Sequence, residues 1–412
     1  MKILIVSEFI PYPFIGGLAR HAINLGNQLI KDGHTVDILG NGVYGVGEPC
    51  QVMEFKGSVY LDKDIDRGKL AGRIERHLKI YPLWIHIRIA KNIAKSILKY
   101  AKNYDAVHYH GYYPIIAKYI PNNINLIITH HDYSLSCPKK NLLHNNGRPC
   151  VPGITSSSCG ECHLSPPDIV RKRLNMVFVN LWRAYAKKAI DCHKHIFVSK
   201  RLSDLNLSII NKQNANVYMV HNFIDCASVQ KNIDYSKDNH IENNKIRVVF
   251  ANNIDPLKGI KEYLESAIEN GILTDDIEHI VAGNGSQKIM LEAEYSKESV
   301  KFTGHISYHE VINTVYNSDI YILPSICEES CSTGVLEGLY LNKDVRALKR
   351  GGTPELAMYS SNKSQLKLYD DMESLVLSIK QDPVYRTPEK INIKFNNCVS
   401  DKASEILGIY KK

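Results

Sequence analysis

The 412-residue sequence contains no apolar run that approaches the length of a membrane-spanning helix. Its first residues, MKILIVS, form an apolar run that is too short for a signal peptide and lacks a cleavage site of small residues. Internal repeats, low-complexity tracts and recognised nucleic-acid-binding motifs are also missing. We therefore expect a cytoplasmic protein that does not bind nucleic acid.

The composition is otherwise ordinary, with 44% hydrophobic residues and a net charge of +8. A chain of 412 residues is too long for one core, so two domains are expected. The moderate positive charge suits nucleic acid, an anionic lipid surface or a phosphorylated substrate and does not by itself choose among them. In a cytoplasmic protein the ten cysteines are expected to be mostly reduced thiols rather than a disulfide framework.

The most informative stretch runs from Ser318 to Glu355. It predicts a strand, a polar turn and a helix in succession: Asp319–Pro324, Ser325–Ser330 and Val335–Leu341. Ser330, Ser332 or Thr333 can cap this helix. The free N–H groups that follow, near Gly334, together with the positive end of the helix dipole, form a natural site for a phosphate.

Two carboxylates, Glu329 in the turn and Glu337 in the helix, have seven residues between them. The first can accept hydrogen bonds from sugar hydroxyls and the second can hold a ribose, as an acid does in dinucleotide-binding folds. The alternative is that both lie on a solvated helix face, as most glutamates do. Glu328 could be mistaken for the first acid, but the spacing selects Glu329.

This pair of glutamates, preceded by LPS and followed by GGTPE, resembles the donor site of family-4 retaining glycosyltransferases. The resemblance implies an α/β protein of the GT-B class, with two doubly wound Rossmann-like domains facing a cleft. It also implies that a sugar is transferred from a nucleotide-diphosphate-sugar donor with its anomeric configuration retained.

The amino-terminal sequence predicts a β-α-β unit, with strands at Lys2–Ser7 and His34–Leu39 and a helix at Leu18–Lys31. Gly16 and Gly17 lie between the first strand and the helix, where backbone can approach a ligand closely. GGLARHAINL resembles the family's glycine motif, whose amides approach the donor diphosphate; a plain tight turn is the alternative. We expect residues 1–225 to form the acceptor-side domain.

His131 follows a predicted strand at Ile124–Thr129, and a polar residue there is well placed to meet a ligand. The family has a histidine at the matching position, which is thought to contact the transferred sugar. His130 is interpreted as a surface residue, and Asp132 can either orient the imidazole or cap the next turn.

The second domain is predicted over residues 245–385, after a polar linker, and binds the nucleotide-sugar. Its first strand, Ile246–Ala251, leads to Lys258, and a later strand leads to Gly283 in a glycine turn. The family has an arginine and a lysine that neutralise the diphosphate; here Lys258 is kept, but Asn253 occupies the arginine position. Asn342 and Asp344 also replace the usual glycine and proline. Residues 386–412 are expected to cross back to the first domain.

Four cysteines lie in a loop rich in glycine, proline and serine: Cys137, Cys150, Cys159 and Cys162. Tetrahedral zinc suits such a set, and a long loop without its own core needs something to fix it. His144 and His163 are spare ligands. Free buried thiols, a disulfide and an iron–sulfur cluster remain open alternatives.

Residues 67–102 interleave lysines and arginines with apolar side chains, among them Tyr81 and Trp84. Such a segment can lie on an anionic membrane surface, and a second basic run with Trp182, Arg171–Lys188, strengthens that interpretation. A core-facing helix with a solvated basic face has the same pattern. The expected location is therefore the cytoplasm. If the basic segment binds lipid, the protein is expected to be peripheral on the inner face of the cell membrane.

The resemblance assigns catalysis to His131, Glu329 and Lys258. It assigns donor binding to residues of both domains: Gly16, Gly17, Asn253, Lys258, Gly283, Glu329, Ser332, Thr333, Gly334 and Glu337. No metal-binding aspartate pair is evident, so the chemistry is predicted to need no cofactor, zinc having a structural role only. The predicted acceptor is a glycan or a polyprenyl-linked glycan, in bacterial surface polysaccharide synthesis. A nucleotide-sugar epimerase or hydrolase, and a degenerate sugar-binding or scaffold subunit, are the alternatives.

Overall fold

The computed structural model describes all of the chain except residues 11–15, 43–54, 67, 145–149, 151–155, 163–167, 214, 234–244, 297–298 and 386–394. The chain divides into two compact units. Unit 1 comprises Met1–Asn222 and Val399–Lys412, and unit 2 comprises Phe223–Cys398. The carboxyl-terminal helix thus belongs to the same unit as the amino terminus.

Unit 1 is built on a parallel sheet of seven strands in the order β3-β2-β1-β4-β5-β6-β7. The strands are β1 (Lys2–Ser7), β2 (Thr35–Asn41), β3 (Val59–Asp62), β4 (Ala106–His110), β5 (Leu126–His130), β6 (Lys194–Phe197) and β7 (Val217–Met219). The helices are α1 (Gly17–Lys31), α2 (Lys69–Leu78), α3 (Leu83–Tyr100), α4 (Ser156–Cys162), α5 (Ile169–Ala189), α6 (Lys200–Ile209) and, at the end of the chain, α13 (Val399–Lys411), with 3-10 turns at Ala101–Asn103 and Pro114–Tyr119.

Unit 2 has a parallel sheet of six strands in the order β10-β9-β8-β11-β12-β13. The strands are β8 (Ile246–Ala251), β9 (Ile277–Ala282), β10 (Val300–Gly304), β11 (Ile320–Leu323), β12 (Asp344–Leu348) and β13 (Leu366–Tyr369). The helices are α7 (Cys226–Lys231), α8 (Ile260–Glu269), α9 (Lys288–Tyr295), α10 (Tyr308–Tyr316), α11 (Thr333–Tyr340) and α12 (Met372–Gln381), with 3-10 turns at Pro256–Lys258 and Thr353–Tyr359.

Both sheets reverse their strand order at one point, between β1 and β4 in unit 1 and between β8 and β11 in unit 2. This is the doubly wound pattern, in which loops at the carboxyl ends of the strands on either side of the reversal part and leave a crevice. The prediction of two doubly wound Rossmann-like domains is confirmed.

The last helix is fixed to unit 1 through Tyr410. Its hydroxyl lies 2.6 Å from Nδ1 of His108 on β4, and its carbonyl accepts a hydrogen bond of 2.8 Å from the Asn125 amide. The other nitrogen of His108 lies 2.7 Å from the Thr129 hydroxyl on β5. Buried polar groups at the centre of the sheet are therefore satisfied by an element almost 300 residues away along the chain.

The two departures near residue 342 have structural explanations. Asn342 has φ of 57°, a left-handed conformation that asparagine tolerates better than most residues. Asp344 and Arg346 are both fully buried, and their Oδ2 and Nη2 atoms lie 2.9 Å apart. Lys367 and the backbone N–H of Tyr385 also bond to Asp344. Here a carboxylate balances a buried guanidinium inside the unit.

One cysteine pair is bonded. Cys226 and Cys398 form a disulfide across 172 residues, beside a parallel bridge between Ile224 and Cys398. It joins the two ends of unit 2 next to where the chain enters and leaves it. The expectation of mostly reduced thiols did not include this pair; free thiols are found at Cys137, Cys150, Cys159, Cys192 and Cys327.

We predict that Asp344→Ala lowers the free energy of unfolding of the protein by about 3–5 kcal/mol, because it leaves the Arg346 charge buried without a counter-ion. Urea unfolding followed by circular dichroism measures the change. Glu265→Ala is the control in the same unit, since Glu265 pairs with Lys261 on an exposed helix face. Equal effects of the two substitutions would contradict the account of Asp344.

Candidate functional site

The predicted site residues of unit 2, apart from Gly283, follow the two strands that flank the reversal. β8 pairs with β11 through Ile320 with Val248 and Tyr321 with Val249. The turn after β8 carries Lys258, and the turn after β11 carries Glu329. Because parallel strands end at the same edge of a sheet, the topology brings these two turns together.

Lys258 and Glu329 form an ion pair with Nζ and Oε1 2.6 Å apart. The side chains are 25% and 14% exposed, so the pair is mostly buried but open to a ligand. Burial acts to raise the pKa of Glu329, but the Lys258 charge and the hydrogen bonds from Lys258 and Ser325 outweigh it and lower that pKa. Burial likewise acts to lower the pKa of Lys258, and the Glu329 charge reverses the effect. Both groups are therefore charged near neutral pH.

Two glycines allow the turns to approach this closely. Gly259 has φ of 70°, and a Cβ there would lie 2.0 Å from the Pro324 carbonyl oxygen. Gly351 has φ of 55°, and its Cβ would stand 1.9 Å from the carbonyl oxygen of Glu329. The next residue, Gly352, donates a 2.7 Å hydrogen bond to that same oxygen. The GGTPE segment thus packs directly against the backbone of Glu329.

Helix α11 begins directly after this turn. Ser332, one of the three candidates from the sequence, is the N-cap residue, but its hydroxyl makes no capping hydrogen bond within the described part of the chain. Thr333 and Gly334 form the first turn of the helix, both partly exposed. Glu337 lies one turn further and accepts a 3.0 Å hydrogen bond from the Tyr308 hydroxyl. The helix therefore offers amides and a carboxylate on the same short segment.

Asn253 and Gly283 lie at the carboxyl ends of the neighbouring strands β8 and β9. Asn253 is exposed. Glu328, the neighbour that could be mistaken for the first acid, is 8% exposed. Gly283 donates a 2.9 Å hydrogen bond to the Gly304 carbonyl. The residues Asn253, Lys258, Gly283, Glu329 and the start of α11 thus all lie at one edge of the unit 2 sheet.

In unit 1, Gly16 is the N-cap of α1 and Gly17 its first residue. Both are exposed, and within 4 Å of their missing Cβ positions there is no atom of the described chain. The first amides of a 15-residue helix are therefore accessible at the carboxyl-terminal edge of the sheet, a place where an anion is stabilised.

His131 directly follows β5, as predicted, and is partly buried. Its Nε2 lies 2.9 Å from Nδ1 of His110, the last residue of β4. Burial lowers the pKa of His131 to about 4, although a hydrogen bond with Asn222 acts in the opposite direction. The imidazole is therefore neutral near pH 7 and can donate or accept a hydrogen bond.

The interpretation of His130 as a surface residue was wrong. His130 is 3% exposed, and its ring stacks on Phe197 with centroids 4.3 Å apart. It ends a strand in the interior of a parallel sheet, where both faces are covered. Asp132 accepts a 2.7 Å hydrogen bond from the Ser134 backbone, so it caps the turn.

Two neighbours of this site were missed. His21, on α1, contacts the ring of His131 with centroids 4.7 Å apart. Glu8, just after β1, is fully buried, and burial raises its pKa to about 7 although hydrogen bonds from Tyr112 and Tyr109 oppose the shift. His21 occurs in the GGLARHAINL motif and Glu8 after the first strand, so position relative to the strands could have pointed to both.

The four cysteines of the predicted zinc loop lie in one region. The pKa of Cys150 is raised to about 12 by burial and by the nearby thiols of Cys137, Cys162 and Cys159. Arg183 donates a 3.0 Å hydrogen bond to the Cys159 sulfur. Among the described residues, which exclude His163, these thiols are not a group of three donors within 4.8 Å of one another. The zinc hypothesis stays a prediction.

The aromatic residues predicted to face a membrane divide into two groups. Tyr81 and Trp182 are 3% and 2% exposed, so they belong to the core and their proposed surface role was wrong. Trp84 is 54% exposed and contacts Phe178 on α5, with ring centroids 5.6 Å apart. Arg67 lies outside the described residues. None of the described helices is long and apolar enough to cross a membrane.

Comparison with known proteins identifies the family of this chain. Residues 15–228 match the family described as Glycosyltransferase Family 4, and residues 231–381 match Glycosyl transferases group 1. An uncharacterized glycosyltransferase of Methanocaldococcus jannaschii, MJ1607, is 23% identical over 372 residues, which cover 88% of this chain and 84% of that protein.

Solved structures have the same fold. HepE of Anabaena, in complex with UDP, matches 100% of this chain with 98% of its own, at 14% identity and a TM-score of 0.59. The catalytic domain of starch synthase IV from Arabidopsis thaliana, bound to ADP and acarbose, matches 100% of this chain with 98% of its own, at 15% identity and a TM-score of 0.62. The predicted GT-B class is confirmed, and the chain belongs to the family-4, group 1 glycosyltransferases.

Proposed function

We propose that the protein transfers a sugar from a nucleoside-diphosphate-sugar, with retention of configuration, to a glycan or polyprenyl-linked glycan of a bacterial surface polysaccharide. The Lys258–Glu329 ion pair before the start of α11 is the observation that carries the proposal. It combines a cation for a diphosphate, a carboxylate for sugar hydroxyls and open helix amides at one sheet edge. HepE, which has the same fold, has been crystallised with UDP-glucose, and this supports the donor class.

In this proposal, Lys258 leaves Glu329 when the donor binds, and its ammonium group moves to the diphosphate. Glu329 then accepts hydrogen bonds from the transferred sugar, and Glu337 from the ribose. Lys258 and the amides of α11 stabilise the negative charge that develops on the leaving diphosphate. His131, neutral in unit 1, hydrogen-bonds the transferred sugar.

The chemical step proposed needs no enzyme nucleophile. The bond between the anomeric carbon and the diphosphate oxygen breaks, and the acceptor oxygen bonds to the same face of that carbon. The acceptor hydroxyl gives its proton to the leaving phosphate. Glu329 therefore holds the sugar and does not act as one of a pair of glycosidase carboxylates.

We expect Lys258→Ala to lower kcat/KM for UDP-glucose, the first donor to test, by about 10²–10³-fold, because a charge that stabilises the leaving group is lost. Glu337→Gln is expected to weaken donor binding by about tenfold or more, as one hydrogen bond to a charged acceptor is lost. Calorimetry and a radiolabelled transfer assay measure both. Glu373→Gln, exposed on α12 in the same unit, is the control and should change neither value. Unchanged donor binding in the Lys258 and Glu337 variants would contradict the assigned site.

A scaffold subunit is the second candidate, and exposed Asn253 at the arginine position favours it. If the protein is a transferase, the wild type consumes the donor when an acceptor is present. Asn253→Arg should then tighten donor binding by about tenfold through an added charge-assisted contact. Asn253→Gln, which adds length without charge, should have no such effect. A wild type without turnover, converted to an active enzyme by Asn253→Arg, would instead establish the scaffold. Donor turnover without any acceptor would indicate an epimerase or hydrolase.

We also propose that unit 1 binds to an anionic membrane surface. Eight of the fourteen exposed large hydrophobic residues in the described chain lie on α2, α3 and α5: Leu70, Leu78, Trp84, Ile169, Val170, Leu174, Val177 and Leu181. On α5, four of them follow the 4-3-4 spacing of one helix face, from Val170 to Leu181.

Polar contacts join α5 to the end of α2 and to the segment between α2 and α3. Arg171 donates a 2.9 Å hydrogen bond to the carbonyl of Leu78, and Asn175 accepts one of 2.7 Å from the backbone of Tyr81. The sequence of α5 contains six lysines and arginines and no acidic residue. Exposed cations also flank the apolar residues on α2 and α3: Lys69, Arg73, Arg76, Lys79 and Arg88. An apolar face with cations around it complements anionic headgroups.

We expect the protein to sediment with phosphatidylglycerol vesicles and not with phosphatidylcholine vesicles, and high salt to weaken binding. The double variant Leu174→Glu with Val177→Glu should lose at least tenfold in vesicle affinity, because it places charges on the apolar face. Ile289→Glu is the control, since Ile289 is 82% exposed in unit 2. A wild type that dimerises through this face, with vesicle affinity unchanged in the double variant, would overturn the membrane assignment in favour of self-association.

A further inference from the structure

Three histidines from separate elements of unit 1 converge at the carboxyl-terminal edge of its sheet. His21 lies on α1, His110 ends β4 and His131 follows β5. One ligand nitrogen from each residue lies within 4.8 Å of the others. Within the described part of the chain, no other group of three or more histidine, cysteine, aspartate or glutamate side chains has its donor atoms this close together.

The three rings contact one another. Nδ1 of His110 and Nε2 of His131 are 2.9 Å apart, so one nitrogen donates a proton and the other accepts it. The ring of His21 meets that of His131 edge-on at 4.7 Å and is tilted against that of His110 at 5.4 Å. Two imidazoles that share one proton form an arrangement in which a cation can take the place of the proton.

Only one of the two ring nitrogens of His110, Nδ1, has a hydrogen-bond partner among the described residues. Its Nε2 is buried and has no hydrogen-bond partner among the described residues. A buried polar atom of this kind is costly, so a ligand that uses the group offsets part of the cost. The ring is fixed by one hydrogen bond rather than two, and little is lost when that bond is exchanged for a metal bond.

Two carboxyl groups can supply counter-charge nearby. Asp132 follows His131 in the chain, and the buried Oε2 of Glu8 has no hydrogen-bond partner in the described structure. That oxygen lies 1.9 Å from where a Cβ on Gly111, the residue after His110, would stand. Glu8 therefore approaches the backbone beside His110 so closely that only glycine fits there.

We propose that His21, His110 and His131 bind one divalent transition-metal ion, with zinc as the ion best suited. Neutral imidazoles favour zinc, nickel and copper over magnesium or calcium. Three histidines leave a fourth tetrahedral position open to water. The regulatory consequence rests on the proposed function: an ion bound to His131 withdraws it from the sugar, so the metal inhibits transfer.

The cysteine loop is a competing zinc site, and cobalt separates the two. A cobalt ion bound by imidazoles and water gives weak visible bands, whereas thiolate ligands add an intense near-ultraviolet band. The background for the test is therefore the full-length chain with Cys159→Ser and Cys162→Ser, treated with chelator and dialysed. We expect it to bind one cobalt or zinc ion per chain by calorimetry, without the thiolate band.

His21→Ala in that background should weaken zinc binding at least tenfold, and His21→Asn, which keeps most of the volume, should do the same if the alanine variant folds poorly. His77→Ala is the control, since His77 is exposed on α2. Zinc should also raise the Tm of the background protein and not that of the His21 variants. Retention of zinc affinity in both His21 variants, or no metal binding in the background, would overturn the proposal.

Metal binding is measured without any nucleotide-sugar, so its outcome is independent of the proposed transfer. Micromolar zinc should inhibit the transfer activity of the background protein and not that of the His21 variants. Zinc binding in a protein that transfers no sugar would refute the transferase and keep the metal site. Transfer that is insensitive to a bound ion would refute the inhibitory role.

Discussion

The parallel pairing of β8 with β11 is the constraint on which the candidate site depends. The paired residues Val248 and Ile320 are 72 positions apart in the chain, yet the carboxyl ends of their strands lie side by side, and the following turns put Nζ of Lys258 2.6 Å from Oε1 of Glu329. Isolated turns could not hold two charges in a largely buried place, because desolvation would outweigh the attraction. The sheet fixes the backbone on both sides, and Gly259 and Gly351 remove the side chains that would keep the turns apart.

In the donor site that we propose, the ion pair also has a consequence for affinity. Each charge already has a partner, so an incoming diphosphate and sugar must compete with that pair. The gain on binding is the difference between two sets of charge-assisted contacts rather than the full strength of one. In return, neither charge is left buried and unpaired in the absence of a ligand. The site is stable by itself and can still rearrange around a donor.

Much of unit 2 was predictable because its signals are local. The strand, turn and helix around Glu329 follow from short apolar runs and a polar turn, and the spacing to Glu337 selected the acid that pairs with Lys258. Long-range pairs gave no such signal. Cys226 and Cys398 are 172 residues apart, and His108 meets Tyr410 across 302 residues. Nothing in the alternating pattern of DAVHYH shows that both faces of β4 are covered, which is a property of interior parallel strands.

Surface assignments failed for a related reason. A basic helix with aromatic residues has one pattern whether an aromatic ring points inward or outward. Tyr81 and Trp182 proved to be core residues, whereas the exposed apolar residues of α5 are aliphatic and were not singled out. Only the packing of α5 against the segment between α2 and α3 decides which face remains outside.

The departures from the family pattern also separate once their surroundings are known. Asn342 keeps the left-handed backbone that the usual glycine would adopt, and Asp344 neutralises a fully buried arginine. Both therefore preserve unit 2 and are no sign of a decayed site. Asn253 differs from them, because it is exposed at the sheet edge beside Lys258, where a charge would act on a ligand and not on the fold. Of the three departures, Asn253 is therefore the one that we expect to affect donor affinity, because Asn342 and Asp344 act on the fold of unit 2.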